Sequence, residues 1–143
     1  MLVRLANQED LTGVIEIDRL SFANPWDREF LENIAKAIFL VFGQQELYGF
    51  LIAGCGNGSG SASLLKVAVH PEHRRKGIAT NLINKLLEML RDRQIAHIEV
   101  IVLETCEPAI SLYKKFGFKL VSIIPQFSHN DDLWVMKLEL TQD

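Results

Sequence analysis

A chain of 143 residues with 48% apolar content can bury about two-thirds of its unfolded surface in one domain without staples, which argues against a disordered chain and a disulfide-stapled mini-protein. Its net charge of −3 argues against a surface built for nucleic acid, and no apolar run approaches the roughly 20 residues that span a bilayer. Two cysteines, Cys55 and Cys106, make no disulfide framework, and without a targeting segment the expectation is one cytoplasmic domain over residues 1–143.

Residues 1–6 alternate apolar and polar around Arg4, the pattern of a short strand. Asn7 is placed to cap the following helix, with Asp10 at its third position and Leu11, Val14, Ile15, Ile17 and Asp18 beginning a periodic face. Residues 22–26 (FANPW) interrupt that face, and Asp27 then caps a second helix carrying Phe30, Leu31 and Ile34. Trp26 stands where this loop would either cover a cleft or anchor the core. Residues 38–42 and 47–54 read as a hairpin joined by residues 43–46. The glycine-serine stretch 55–62 feeds a strand over 63–69, not a helix, so it reads as a flexible connection rather than a phosphate cradle.

Residues 70–80, HPEHRRKGIAT, join that strand to a long amphipathic helix. Ile78, Leu82, Ile83, Leu86, Leu87 and Leu90 fall on one face of it, with Asn81, Asn84, Lys85 and Glu88 opposite. The first N–H groups of a helix lack intrahelical acceptors and lie at the positive end of its dipole. With Gly77 and Ala79 keeping bulk away and Arg74, Arg75 and Lys76 alongside, the turn is a natural anion site. Neither G-x-x-x-x-G-K-[ST] nor G-x-G-x-x-G occurs in it. Residues 97–103 (HIEVIVL) follow as a β-branched strand; Pro108 opens a further helix that Gly117 closes, and strands over 119–124 and 133–140 are separated by residues 125–132. The order β-α-α-β-β-β-α-β-α-β-β is that of a mixed α/β fold.

Arg74-x-x-Gly77-x-Ala79, following Val67-Ala68-Val69, resembles the R/Q-x-x-G-x-G/A acetyl-CoA motif of the GNAT superfamily of N-acetyltransferases. A second stretch, Ala109 to Phe118 (AISLYKKFGF), resembles that superfamily's A-x-x-L-Y-x-x-x-G-F. The resemblance covers nearly the whole chain. It implies the acyl-CoA N-acyltransferase fold, a mostly antiparallel central sheet with one splayed parallel strand pair, and acetyl-CoA as cosubstrate. By that resemblance, the backbone of Val67, Ala68 and Val69 receives the thioester and pantetheine, and the stretch Arg74, Arg75, Lys76, Gly77, Ile78, Ala79 and Thr80 holds the diphosphate. Tyr113 matches the tyrosine that protonates the leaving thiolate, and Cys106 stands where relatives have a cofactor-contacting asparagine.

The catalytic base is less plain. Where relatives that acetylate protein N-termini carry Glu or His on the strand before the tyrosine, this chain has Ile101. Glu99 lies on the same strand face two residues earlier and is the first candidate; Glu104, His70, His73, His129 and a water chain are the others. His70-x-x-His73 lacks the third ligand of a metal site, so no metal is expected.

Asn24-Pro25-Trp26-Asp27-x-x-Phe30 resembles the F-P-W-x-x-x-x-F loop of bacterial ribosomal-protein alanine N-acetyltransferases, as does Glu16-Ile17-Asp18. In that family the loop and the last hairpin receive a protein N-terminus, which makes Trp26 and Phe127 the substrate-binding candidates. The hairpin here lacks the family's paired tyrosines. Three readings remain on sequence: a protein N-terminal acetyltransferase first, a small-molecule amine acetyltransferase second, and a non-catalytic acyl-CoA-binding module third, acting as monomer or homodimer with neither nucleic acid nor membrane as partner. Outside the family, a nucleotide-binding module is the contender, and preference for ATP or NADH over acetyl-CoA is what would reveal it.

Overall fold

The computed structural model describes residues 3–22, 25, 37–55, 60–128 and 131–140. Within them run seven strands and three α-helices: β1 (Val3–Leu5), α1 (Leu11–Ser21), β2 (Ile38–Gly43), β3 (Leu47–Cys55), β4 (Ser61–Val69), α2 (Ile78–Asp92), β5 (His97–Leu103), α3 (Glu107–Phe116), β6 (Lys119–Ser128) and β7 (Asp131–Glu139). The helix expected after Asp27 and its loop residue Trp26 lie outside the described residues. No helix among the described residues is long and apolar enough to cross a membrane.

The chain divides into two compact units, Met1–Gly54 with Leu65–Met89 and Cys55–Leu64 with Leu90–Asp143. In the first unit the strands are ordered β1-β2-β3-β4, with β1/β2 and β2/β3 antiparallel. The β2–β3 turn needs Gly43, which sits at φ +124°; a Cβ there would come within 2.3 Å of the Glu46 carbonyl oxygen. Leu11, Val14 and Ile17 recur along α1 at the spacing of one helix face, and they are buried with Val41, Phe50, Ile52 and Ala68. On that helix the buried Asp18 carboxylate pairs with Lys66 of β4 at 2.5 Å, and the Lys66 ammonium lies 4.4 Å from the centre of the Phe22 ring.

Gly49 sets the height of α2. A Cβ at that position would stand 2.9 Å from the Ala68 oxygen and 3.0 Å from Cγ2 of Ile78. Only glycine lets the first turn of α2 settle so close to the strands, and Gly49→Ala is expected to overpack this contact by about 1–3 kcal/mol.

In the second unit β5 lies between β4 and β7, and β6 forms the edge. The parallel β4/β5 ladder runs from Ser61↔His97 to Leu64↔Val100 and stops there, although β4 continues to Val69 and β5 to Leu103. The expected parallel pair is therefore short, and the other strand pairs of this unit are antiparallel. Two boundaries differ from the sequence reading. β4 begins at Ser61 rather than at residue 63, because its ladder with β5 recruits the end of the glycine-serine stretch. β6 and β7 reach Ser128 and Asp131 where a loop over 125–132 was expected. Pro125 is tolerated inside β6 because that strand is the sheet edge and its register shifts between Ile124 and Ser128.

Candidate functional site

After Val69 the chain is held at once to its neighbouring strand, His70 N–H donating to the Tyr48 carbonyl at 2.7 Å. A 3-10 turn over Pro71–His73 follows, with His70 Nδ1 accepting from Glu72 N–H at 3.1 Å. The His73 ring stacks on Tyr48, centroids 3.8 Å apart and planes 15° from parallel. Both imidazoles are thus structural members of the turn, which accounts for the His-x-x-His spacing without a metal.

The next residues alternate in handedness: Arg74 is extended (φ −71°, ψ 159°), Arg75 has φ +66° and Gly77 φ +77°. Left-handed backbone at a non-glycine residue costs about 1–2 kcal/mol, and such alternation turns successive N–H groups into a concave anion nest. The Gly77 carbonyl accepts the first bond of α2, from Asn81 N–H at 3.0 Å, which makes Gly77 the N-cap. The amides of Ile78, Ala79 and Thr80 have no acceptor among the described residues. A Cβ added at Gly77 would meet nothing within 4 Å, so the mouth of the turn is open.

The three cations of the turn do different work. Arg74 folds inward, Nε donating to the Val69 carbonyl at 3.0 Å and Nη2 lying 3.4 Å from Ser21 Oγ. It braces the turn between the end of β4 and the end of α1. Lys76 Nζ lies 3.5 Å from His73 Nδ1, and it and Arg75 are exposed beside the mouth. Unpaired amides, two cations and open space fit a diphosphate. Ser21 and Tyr48 escaped the sequence reading because their partners lie 53 and 25 residues away, and no local spacing encodes that.

In the second unit Tyr113 is fixed by the way its helix stops. Gly117, at φ +100°, lets its own N–H reach the Lys114 carbonyl and Phe118 N–H reach the Tyr113 carbonyl at 3.1 Å. The Phe118 ring then packs 5.6 Å from that of Tyr113. The Phe-Gly-Phe end of the motif is therefore a helix stop that clamps the tyrosine. Tyr113 is only 6% exposed; burial, and second the neighbouring Cys106, push its phenol up to about 12. Cys106 is an exposed free thiol at the N-cap of α3.

On β5, Glu99 and Ile101 share a face; Glu99 is half-buried, in register with Ser63 of β4 and Lys137 of β7, and Ile101 is 57% exposed. Glu104 is tied to β7: its N–H donates to the Asp132 carbonyl at 3.1 Å and its carboxylate lies 3.4 Å from Asp132 N–H. That leaves Glu99 as the freer of the two carboxylates. Phe127 falls in β6 rather than in a loop, and His129 is outside the described residues. A cleft of about 580 Å³ is lined by Glu107, Ile110, Ser111, Lys114 and Lys115 of α3 with Glu104 and Trp134. This is a different stripe of α3 from the one carrying Tyr113.

Residues 11–118 match the acetyltransferase (GNAT) family. A candidate ribosomal protein bS18 alanine N-acetyltransferase of Bacillus subtilis (strain 168) is 32% identical over 124 residues, spanning 82% of this chain and 80% of that protein. The crystal structure of the ribosomal-protein-S18-alanine N-acetyltransferase from Escherichia coli has the same fold, with a TM-score of 0.89 at 22% identity over 99% of this chain and 94% of that one. So has a candidate acetyltransferase from Salmonella typhimurium solved with its cofactor acetyl-CoA, with a TM-score of 0.81 at 21% identity over 99% and 94% of the two chains. The chain belongs to the acetyltransferase (GNAT) family as an acetyl-CoA-dependent N-acetyltransferase.

Proposed function

We propose that this enzyme acetylates the α-amine of a protein N-terminus, a ribosomal protein being the acceptor class, and that it works in the cytoplasm. The observation that carries the reading is the likeness over 124 residues to the Bacillus subtilis protein named for alanine N-acetylation. Ile101 stands where relatives that acetylate protein N-termini carry Glu or His, so the proton on the amine must leave by another route. At pH 7 about one α-amine in seven is neutral, against about one alkyl ammonium in 2,500. Glu99, directly or through water, removes the proton from what remains charged.

In this reading the amides of Ile78, Ala79 and Thr80, with Arg75 and Lys76, hold the diphosphate of acetyl-CoA. The backbone at Val67, Ala68 and Val69 receives the thioester and pantetheine, Cys106 contacts the carrier, and Trp26 and Phe127 contact the acceptor. The amine attacks the thioester carbon, the new C–N bond forms, the oxyanion meets a backbone N–H, and the C–S bond breaks as nitrogen loses its extra proton. Burial holds the Tyr113 phenol up to about 12, so it stays protonated at neutral pH and is the donor to the departing sulfur, and the proton that nitrogen sheds to Glu99 or water balances the one the sulfur takes up.

Incubation with acetyl-CoA and a panel of peptides with free N-terminal alanine, N-blocked peptides and polyamines tests the acceptor. A mass gain on the free α-amine is expected; a gain on polyamines alone would replace this reading with the small-amine one. Tyr113→Phe should lower kcat by about a hundredfold or more while the acetyl-CoA KM stays within about twofold. Unchanged turnover would remove the phenol from the mechanism.

A further inference from the structure

We propose that Lys66 is a positioning residue for acetyl transfer: its ammonium, held between the buried Asp18 carboxylate and the Phe22 ring, fixes the height of the β4 backbone at Val67, Ala68 and Val69, where the thioester is received. The proposal rests on the acetyl-CoA reading of that strand and deepens it by assigning what holds the strand in place. A donor to the developing oxyanion works only where that oxygen will stand, and a misplacement of about 1 Å can cost about a hundredfold in rate. The amides of β4 therefore need a fixed height.

The ladder of β4 with β5 ends at Leu64↔Val100, while the strand itself runs on to Val69. Where that pairing stops, the last turn of α1 takes hold. Lys66 points to the same face of β4 as Ala68, which is buried against Leu11, Val14 and Ile17 of α1. Its Nζ lies 2.5 Å from Asp18 Oδ1, with 9% of the lysine side chain and 1% of the aspartate side chain exposed. The same ammonium lies 4.4 Å from the centre of the Phe22 ring. Phe22 N–H donates to the Asp18 carbonyl at 3.0 Å, so ring and carboxylate belong to one rigid helix end. Beyond the thioester segment the tie is repeated, Arg74 linking the Val69 carbonyl to Ser21 Oγ. One helix turn thus grips β4 just before Val67 and again at Val69. Stability alone does not call for an ion pair at such a place, since apolar groups of similar volume hold a buried contact as well or better. A charge-assisted bond at the end of a packed lysine stem adds a fixed distance, where an apolar contact would let the strand slide.

The test compares the native enzyme with Asp18→Asn/Lys66→Met and with Lys66→Arg, using acetyl-CoA and a peptide with free N-terminal alanine. In the double variant asparagine keeps the shape of the carboxylate and methionine most of the lysine stem, so no buried charge is stranded; urea unfolding checks that it remains folded. Its kcat should fall at least about tenfold while the KM values for acetyl-CoA and peptide stay within about twofold, the pattern of an interaction made only in the transition state. Lys66→Arg keeps a cation against the same carboxylate and ring, and should hold kcat within about threefold of native. Native kcat in the double variant, an equal loss in Lys66→Arg, or a raised KM without a fall in kcat would each overturn the proposal. A double variant that no longer folds would make the pair a stability element and overturn it too. Calorimetry with acetyl-CoA separates the two levels. Binding by the native enzyme, with turnover indifferent to the pair, defeats only the Lys66 proposal, whereas no binding by the native enzyme defeats the carrier reading beneath it.

Discussion

The two helical starts of the first unit are built in opposite ways. The run into α1 is closed by its own side chains: Asn7 Oδ1 accepts from Glu9 N–H at 2.9 Å, and Asp10 Oδ2 accepts from Asn7 N–H at 2.8 Å. Arg4 then grips both oxygens of Asp10 at 2.8 Å each and reaches the Gly43 and Gln44 carbonyls at 3.1 and 2.9 Å. The start of α2 has a glycine cap, no acidic residue in its first turn, and three amides without acceptors among the described residues. Closed, acidic and braced, the first start serves stability. Open, cationic and held at positive φ, the second is shaped for an anion that the protein does not itself supply.

The sharpest way to break this contrast is to close the open start. Gly77→Asp supplies an N-cap side chain and a negative charge at a residue whose φ of +77° aspartate tolerates better than most. Folding stability should change by less than about 1 kcal/mol, since the cap bond and the backbone strain oppose each other. Acetyl-CoA affinity should fall by about a hundredfold, because a carboxylate would stand where the diphosphate binds. Calorimetry checks the affinity and urea unfolding the stability; unchanged affinity would mean that the open start is not the carrier grip.

The converse substitution opens the closed start. Arg4→Ala leaves the buried Asp10 carboxylate with only the Asn7 amide, which should lower stability by about 2–3 kcal/mol in urea unfolding, less than for a fully buried pair because Arg4 is one-third exposed. Acetyl-CoA affinity should not change. Asn7→Ala removes one cap bond and should lower stability by about 1 kcal/mol with the same indifference of binding. A loss of acetyl-CoA affinity in either variant would show that the two starts are not independent.

Much of this contrast is legible in the order of residues, because caps and helical periods are local. Asn7 with Asp10, the glycine before Ile78, and the Gly117 stop all act within a few positions of the residues they serve. The strand over residues 97–103 is equally local, a β-branched run with its faces alternating. The missed features depend on which strand is the neighbour. Pro125 reads as a loop until β6 is known to be the edge, and Ser61 reads as linker until His97 lies beside it. Arg74 illustrates the limit for the site: its place in the motif is plain, but its inward turn to Val69 and Ser21 depends on a helix end 53 residues earlier.

The smallest expected effect is a pH dependence that only the closed start should carry. The Arg4 guanidinium, above all by its hydrogen bonds, holds the Asp10 carboxyl below the usual carboxylate range; burial opposes this, and the Asn7 amide and the Arg4 charge add to it. The unfolded chain therefore binds the Asp10 proton more readily than the folded one. The stability this contributes is fully present above the unfolded value, about pH 4, and is lost as pH falls through the lower folded value. Asp10→Asn should be less stable at neutral pH and should lose less on acidification below about pH 4, as urea unfolding at a series of pH values would show. The α2 start has no carboxylate in its first turn to titrate, so its own contribution should stay flat across the same range. An acid dependence that survives intact in Asp10→Asn would move it to other carboxylates and strip the closed start of its pH signature.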